Sequence, residues 1–152
     1  IDVLVNNAAL YAGLKGARFE KLDEAQWDAV MTVNVKGLWQ CCKAVVQPMR
    51  DAGGGSIINI SSLAALYGLP YGLDYVASKA AVIGMTRGMA RELGKDRIRV
   101  NAVAPSARIG SAHASRRAMS SLSVMVGTYH ETGAMSGDRF GADEQINSCV
   151  AT

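Results

Sequence analysis

A tyrosine and a lysine stand four residues apart in "DYVASKAAV", residues 74–82, within a run whose pattern predicts a helix. Side chains at positions i and i+4 share a helix face, so the Lys79 ammonium can lie beside the Tyr75 hydroxyl. Lowering a tyrosine pKa from about 10 to about 7 requires roughly 4 kcal/mol. A cation about 4–5 Å away, at an effective dielectric constant near 20, supplies roughly 3–4 kcal/mol. The pair can therefore exchange a proton near neutral pH.

The same spacing also occurs in surface pairs, in which a phenol stands beside a solvated lysine. A role in proton transfer therefore depends on whether the fold brings other polar residues to Tyr75. The apolar pattern along the chain shows which elements could do so.

The elements alternate between strands and long helices. Buried strands are predicted at 1–6, 56–62 and 97–105. Helices are predicted at 24–50 and at 74–93, the second ended by Gly94. Short apolar runs are typical of strands buried on both faces of a sheet. Strands separated by long helices require parallel crossover connections, so the fold class is α/β with a doubly wound parallel sheet.

Polar residues or a sharp turn follow each predicted strand. Ligands of open α/β sheets bind beyond the carboxyl ends of the strands. Three segments deliver such groups to one rim: Asn6 and Asn7, Ser61 and Ser62, and Pro105 and Ser106. We therefore expect the site at this rim.

The rest of the chain has weaker patterns. Residues 106–141 are rich in Ser, Ala, Gly and Met, which predicts a lid or a helical hairpin over the rim. A helix is predicted to restart at about Ala142 and to continue to residue 152. His113 and His130 have no partners at ligand spacing and are expected to be solvated. We expect a single domain over 1–152.

Composition narrows the function classes. The chain is 49% hydrophobic and 19% charged, as in one globular domain. Its net charge of +3 is scattered, which argues against nucleic-acid binding. No apolar run has the length of a membrane span, so we expect no membrane partner and a cytoplasmic location. The three cysteines lack metal-ligand spacing, so no metal site is expected.

Several motifs occur together in one order. "NNAA" ends the first strand, Asn34 lies in "TVNVKG", Ser62 precedes Tyr75 by 13 residues, and "IRVNAVAP" forms the third strand. This set resembles the short-chain dehydrogenase/reductase family, and "DRFGADEQI" is similar to a later motif of that family. The resemblance implies a Rossmann-like fold and an oxidoreductase that uses NAD or NADP to interconvert a ketone or aldehyde and an alcohol.

The resemblance also implies a catalytic set of Asn34, Ser62, Tyr75 and Lys79. Tyr75 would be the acid in reduction and the base in oxidation. Lys79 would lower the tyrosine pKa and bind the nicotinamide ribose. Ser62 would donate a hydrogen bond to the substrate oxygen. Asn34 would interrupt regular helix bonding and hold a water connected to Lys79.

Cofactor contacts are implied at two places besides Tyr75 and Lys79. Asn7, Ala8 and Ala9 would pass close to the adenine ribose, and Ala9 stands where the family has glycine. Pro105, Ser106 and Arg108 would contact the nicotinamide side. Ser106 replaces a usual glycine and Arg108 a usual aliphatic residue, which changes those contacts.

The family's glycine-rich phosphate turn, T-G-x-x-x-G-x-G, has no counterpart here. Gly53, Gly54 and Gly55 follow a predicted helix and precede a strand, which is the reverse order. We therefore expect the chain to be the C-terminal part of the fold, a piece of a longer protein that is inactive alone. The residue that distinguishes NAD from NADP would precede it.

Alternatives remain open at this stage. The substrate would be a small or medium hydroxy/keto compound, with a 3-oxoacyl thioester as one candidate. A sugar-nucleotide epimerase or dehydratase, and an inactive relative used for binding or regulation, are the other interpretations. At full length the long helices would pair across subunits in a homodimer or homotetramer, although Trp39, Val45 and Met89 could equally be core.

Overall fold

The computed structural model describes residues 1–105 and the backbone of residues 124–126. Three strands are parallel: β1 (Val3–Asn6), β2 (Gly55–Ile60) and β3 (Ile98–Ala104). A short strand that the sequence analysis did not predict, β4 (Val124–Val126), pairs antiparallel with β3. The sheet order is β1-β2-β3-β4, and the predicted α/β class is confirmed. The predictions at Ser106, Arg108, His113 and His130, and for the helix from Ala142, lie outside the described residues.

The first long helix runs from Glu24 to Asp51, close to the predicted 24–50. It consists of α1 (Glu24–Met31), a π-helical segment (Thr32–Gly37) and α2 (Leu38–Asp51). The carboxylate of Asp23 caps the N-terminus of this helix by accepting a hydrogen bond from the backbone N–H of Gln26 at 3.2 Å. Widened π-helical turns are frequent at functional sites.

The second long helix, α4 (Leu73–Leu93), also lies where predicted, but it ends differently. Gly94 keeps a right-handed conformation and begins a short 3-10 helix. Arg97 takes the left-handed conformation (φ 57°), so the chain turns three residues later than predicted. A four-residue helix, α3 (Ala64–Tyr67), lies between β2 and α4 and was not predicted.

Both long helices pack on one face of the sheet. The strand register aligns Leu4, Ile57 and Val100 in one row on this face. The buried side chains that cover it come from both helices: Leu38, Cys42, Val45, Met49, Val82, Ala90 and Leu93. This core holds the carboxyl ends of the three strands at one rim. Among the described helices none is long and apolar enough to cross a bilayer.

The opposite face of β1 is open, which corrects the prediction of a strand buried on both faces. Val3 and Val5 remain 55% and 53% exposed. In the described part of the chain β1 pairs with β2 alone, and both α2 and α4 lie on the other face. This strand is therefore apolar in composition although one of its faces is exposed.

The turn into β2 depends on a close approach between two backbones. Gly54 has φ 141°, and a Cβ there would lie 2.7 Å from the carbonyl oxygen of Arg97. Gly84 in α4 is a matched contrast, because a Cβ there would have no neighbour within 4 Å.

We expect Gly54→Ala to lower the free energy of unfolding by about 2 kcal/mol or more, through backbone strain and the clash with Arg97. Gly84→Ala should raise it by about 0.5–1 kcal/mol, because alanine favours helix. Urea unfolding followed by circular dichroism measures both. Equal effects of the two substitutions would contradict the role given to the glycine turn.

Candidate active site

A cleft of about 440 Å³ opens at the carboxyl ends of the strands, beside the first turn of α4. Six of the predicted site residues line it: Asn7, Ala9, Ser62, Tyr75, Lys79 and Pro105. Asn34 lies behind it and is 2% exposed. The fold thus brings most of the predicted set together from β1, β2, β3 and α4. Ser106 and Arg108 lie outside the described residues.

Tyr75 and Ser62 meet inside this cleft. Burial raises the pKa of Tyr75 above its ordinary value, and a hydrogen bond with the Ser62 side chain opposes that rise. Tyr11 also raises the pKa by charge repulsion. The Ser62 Oγ accepts from the Ala64 amide at 3.2 Å, so its own proton is left to donate. Ser62 and Tyr75 therefore line the same cleft, and the role predicted for each of them stays a prediction.

Lys79 is held differently from the sequence-based expectation. Its Nζ donates to the carbonyl oxygen of Ile60 at 2.8 Å and lies over the Tyr75 ring, 5.8 Å from the centroid. Burial lowers the pKa of Lys79 as well. Burial is the largest influence on the Tyr75 pKa in this structure, so the expected lowering of that pKa by Lys79 stays a prediction.

Asn34 connects three elements from within the π-helical segment. Its Oδ1 accepts from the Leu10 amide at 2.7 Å. Its Nδ2 donates to the Leu10 carbonyl at 3.2 Å and to Ser78 Oγ at 3.0 Å. The segment fits the expected break in regular helix bonding, whereas the role of holding a water stays a prediction.

Comparisons with known proteins agree with this geometry. The family model described as short chain dehydrogenase matches residues 1–120. This chain belongs to the short-chain dehydrogenase family.

Relatives within the family have different printed activities. A 3-oxoacyl-(acyl-carrier-protein) reductase of Thermotoga maritima is 49% identical over 69% of this chain and 42% of its own length. A 3alpha-hydroxysteroid dehydrogenase of Mediterraneibacter gnavus is 43% identical over 69% of this chain and 41% of its own length. The chain therefore spans less than half the length of the curated relatives that it matches.

Solved structures give the same result. A structure described as ElxO with NADP bound has a TM-score of 0.65 and 37% identity, over 69% of this chain and 42% of that one. An acetoin dehydrogenase from Enterobacter cloacae has a TM-score of 0.63 and 39% identity, over 68% and 40%. The described residues thus adopt part of the family's Rossmann fold.

Sequence patterns did not predict one hydrogen-bonded pair of side chains at the site. Gln26 Nε2 donates to Asp74 Oδ2 at 2.8 Å, and Asp74 Oδ1 accepts from the Tyr75 amide at 2.8 Å. Gln26 also pairs with the Lys15 backbone through Oε1 at 2.9 Å and Nε2 at 3.1 Å. The pair ties α1 and the loop after β1 to the first turn of α4. A contact between polar residues on separate helices leaves no periodic pattern in the sequence, so periodicity could not predict this pair.

A buried amide network fixes the end of β1. Asn6 Nδ2 donates to Asn59 Oδ1 at 2.9 Å, and Asn59 Nδ2 donates to Thr86 Oγ1 at 3.0 Å. Asn6 also contacts the buried thiol of Cys42 at 3.2 Å, and burial raises the pKa of that thiol. These bonds hold Asn7 and the residues after it at the rim.

The pKa of Tyr75 gives a titration test. The difference between the pH titration curves of the wild type and Tyr75→Phe isolates the ionisation of Tyr75. We expect this ionisation above the ordinary tyrosine pKa of about 10. Ser62→Ala should move it further upward, because the hydrogen bond that lowers the pKa is lost. Ultraviolet absorbance of tyrosinate measures this, with Ser56→Ala as the control at a serine outside the cleft lining. A downward shift in Ser62→Ala would refute the assigned bond.

The Gln26 to Asp74 pair predicts a charge effect. Gln26→Glu should lower the free energy of unfolding by on the order of 1–3 kcal/mol, because two carboxylates would then face each other beside a buried site. Adding Asp74→Asn restores a donor and should recover part of the loss, since the Lys15 carbonyl still faces the new carboxylate. Chemical denaturation measures both variants. A double variant less stable than Gln26→Glu alone would contradict the pairing.

Proposed function

We propose that this chain carries the proton-transfer site of an NAD(P)-dependent oxidoreductase that interconverts a ketone or aldehyde and an alcohol. The observation that carries the proposal is that Tyr75 and Ser62 line one open cleft, with the buried Lys79 ammonium lying over the Tyr75 ring. These groups supply an acid, a hydrogen-bond donor and a cation within one site.

The rim fits a nicotinamide cofactor. Asn7 and Ala9 line the cleft with a short polar and a small side chain, so the backbone there is accessible to a bound ribose. The Lys79 ammonium lies on the other side and has donors beyond the one that it gives to Ile60. Relatedness to a chain solved with NADP supports this assignment. A bound nicotinamide dinucleotide would supply the hydride.

Residues of the protein itself would donate and accept the proton. Because burial raises its pKa, Tyr75 stays protonated at neutral pH and can donate to the developing alkoxide oxygen. Ser62 donates to the same oxygen, because its Oγ already accepts from the Ala64 amide and its proton is free. In oxidation the same oxygen of Tyr75 would accept the proton. The protonated form of Tyr75 is the one that reduction would use.

A second part of the proposal concerns which segment of the whole protein binds the phosphates of the dinucleotide. Tight binding of a dinucleotide in this family needs a glycine-rich phosphate turn. In the described part of the chain Gly53, Gly54 and Gly55 instead connect α2 to β2. We therefore expect this chain alone to turn over slowly or not at all.

Assembly and location are further parts of the proposal. Val45 belongs to the core, and Met89 packs against it, whereas Trp39 is 46% exposed on the outer side of α2. Of these three residues, Trp39 is therefore the one available for the predicted helix pairing in a homodimer or homotetramer. Sedimentation velocity would test this assembly. A cytoplasmic location stays a prediction that fractionation would check.

The test is to join the segment that precedes the matching region of the Thermotoga maritima relative to Ile1 and to follow nicotinamide absorbance with a panel of ketones. We expect turnover, with kcat lowered by about 10²–10⁴-fold in Tyr75→Phe. Tyr71→Phe is the matched control, since Tyr71 is exposed and lies outside this cleft. Equal turnover of Tyr75→Phe and the wild type would remove the assigned acid.

A further inference from the structure

Two consecutive residues at the end of β2 hold Lys79 at two points. The Ile60 carbonyl oxygen accepts a hydrogen bond from the Lys79 Nζ at 2.8 Å, which fixes the tip of the side chain. The Ser61 Oγ donates to the backbone carbonyl of Lys79, also at 2.8 Å, which fixes the main chain of the same residue. Lys79 is therefore attached to the strand at its backbone and at its ammonium, on either side of a flexible four-carbon stem.

The strand end that makes these two bonds is itself tied to β3. The Ser61 amide donates to the Val103 carbonyl at 2.7 Å, and the Leu63 amide donates to the Pro105 carbonyl at 3.1 Å. Ser62, which lies between Ser61 and Leu63, lines the cleft. The Ser61 hydroxyl therefore joins α4 to a fixed point of the sheet, one residue away from a side chain of the site.

The Ser61 hydroxyl does more than fill space at this position. Ser61 is 3% exposed, and a buried hydroxyl is costly unless it is hydrogen-bonded. An alanine would carry no such cost, so the need for a small side chain does not by itself account for a serine. What the hydroxyl adds is a bond between the sheet and α4 at the residue that carries the ammonium.

We propose that Ser61 is a positioning residue for Lys79. Its hydroxyl holds the Lys79 turn of α4 against β2, which keeps the ammonium buried on the Ile60 carbonyl and over the Tyr75 ring, 5.8 Å from the ring centroid. Ser61 acts through Lys79 and is assigned no contact with a reacting atom. The inference rests on the proposed function, because it deepens the part that Lys79 plays in that site.

The titration of the Lys79 amine tests this role. Because burial lowers the pKa of Lys79, the carbon signals of its side chain should titrate below the ordinary lysine pKa of 10.5 in nuclear magnetic resonance spectra of this chain. Lys79→Arg removes those signals and so identifies them. In Ser61→Ala the released ammonium gains water, and the midpoint should rise by up to about one pH unit, the shift that corresponds to one hydrogen bond of ordinary strength.

Three further substitutions make the test specific to the hydroxyl. Ser61→Thr keeps the donor and should keep the wild-type midpoint. Ser61→Cys has a weaker donor of similar size and should give an intermediate shift, which tests the proposal where Ser61→Ala does not fold. Ser56→Ala, near the other end of β2 and outside the cleft lining, should leave the midpoint unchanged.

The proposal is overturned if the Lys79 midpoint stays in place or falls in Ser61→Ala, or if Ser61→Thr shifts it as far as Ser61→Ala does. Where Ser61→Ala does not fold, an unchanged midpoint in Ser61→Cys overturns it. An equal shift in Ser56→Ala also overturns it, because a general loosening of the fold would then explain the result.

Turnover by the joined protein described above separates this result from the function. There Ser61→Ala should raise the KM for the nicotinamide cofactor by about two- to tenfold, with the wild-type value in Ser61→Thr. Equal KM values in the wild type and Ser61→Ala would overturn the role in the reaction. A shifted midpoint without any ketone turnover would remove the oxidoreductase assignment and leave Ser61 as the residue that positions Lys79. Turnover with an unshifted midpoint would do the reverse.

Discussion

The site depends on the side chain of Asn34 reaching out of a widened helical turn. Its three hydrogen bonds join the loop after β1, through Leu10, to Ser78 in α4. Ser78 lies one residue before Lys79, and Leu10 lies one residue before Tyr11, which packs on Tyr75. A regular α-helix at 32–37 would bond its own backbone, and the segment would not present Asn34 in the same way. The local irregularity therefore contributes to the positions of both Tyr75 and Lys79.

Desolvation, rather than charge pairing, controls the ionisation of the site. The sequence argument placed an ammonium beside a phenol in a medium of moderate dielectric constant, where attraction would favour the tyrosinate. In the structure Lys79 is buried and Tyr75 is half-buried, so each charged form loses hydration: the pKa of Tyr75 rises and that of Lys79 falls. The carbonyl of Ile60 accepts from the ammonium and holds it over the ring. The Ser62 hydrogen bond is what opposes the rise at Tyr75.

Periodicity predicted both long helices and the three parallel strands to within two residues, because those patterns record which side chains enter a core. It also placed Asn7, Ser62 and Pro105 at one rim, since the carboxyl ends of parallel strands coincide. The family resemblance, and not periodicity, added Tyr75 to that set. It could not show that β1 leaves Val3 and Val5 exposed, because exposure depends on what packs against a strand and not on its composition. The pairing of Gln26 with Asp74 likewise arises from the approach of two helices, which no local pattern records.

The same burial bears on the proposed proton transfer. A phenol that holds its proton at neutral pH is the form that would donate to a substrate oxygen in reduction. Oxidation would require a further influence that stabilises the tyrosinate, and the Lys79 ammonium is directed to a backbone carbonyl. A ligand that drew the Lys79 ammonium away from Ile60 toward the hydroxyl would supply that influence. The bond of the Lys79 ammonium to the Ile60 carbonyl therefore competes with its stabilising a tyrosinate at Tyr75.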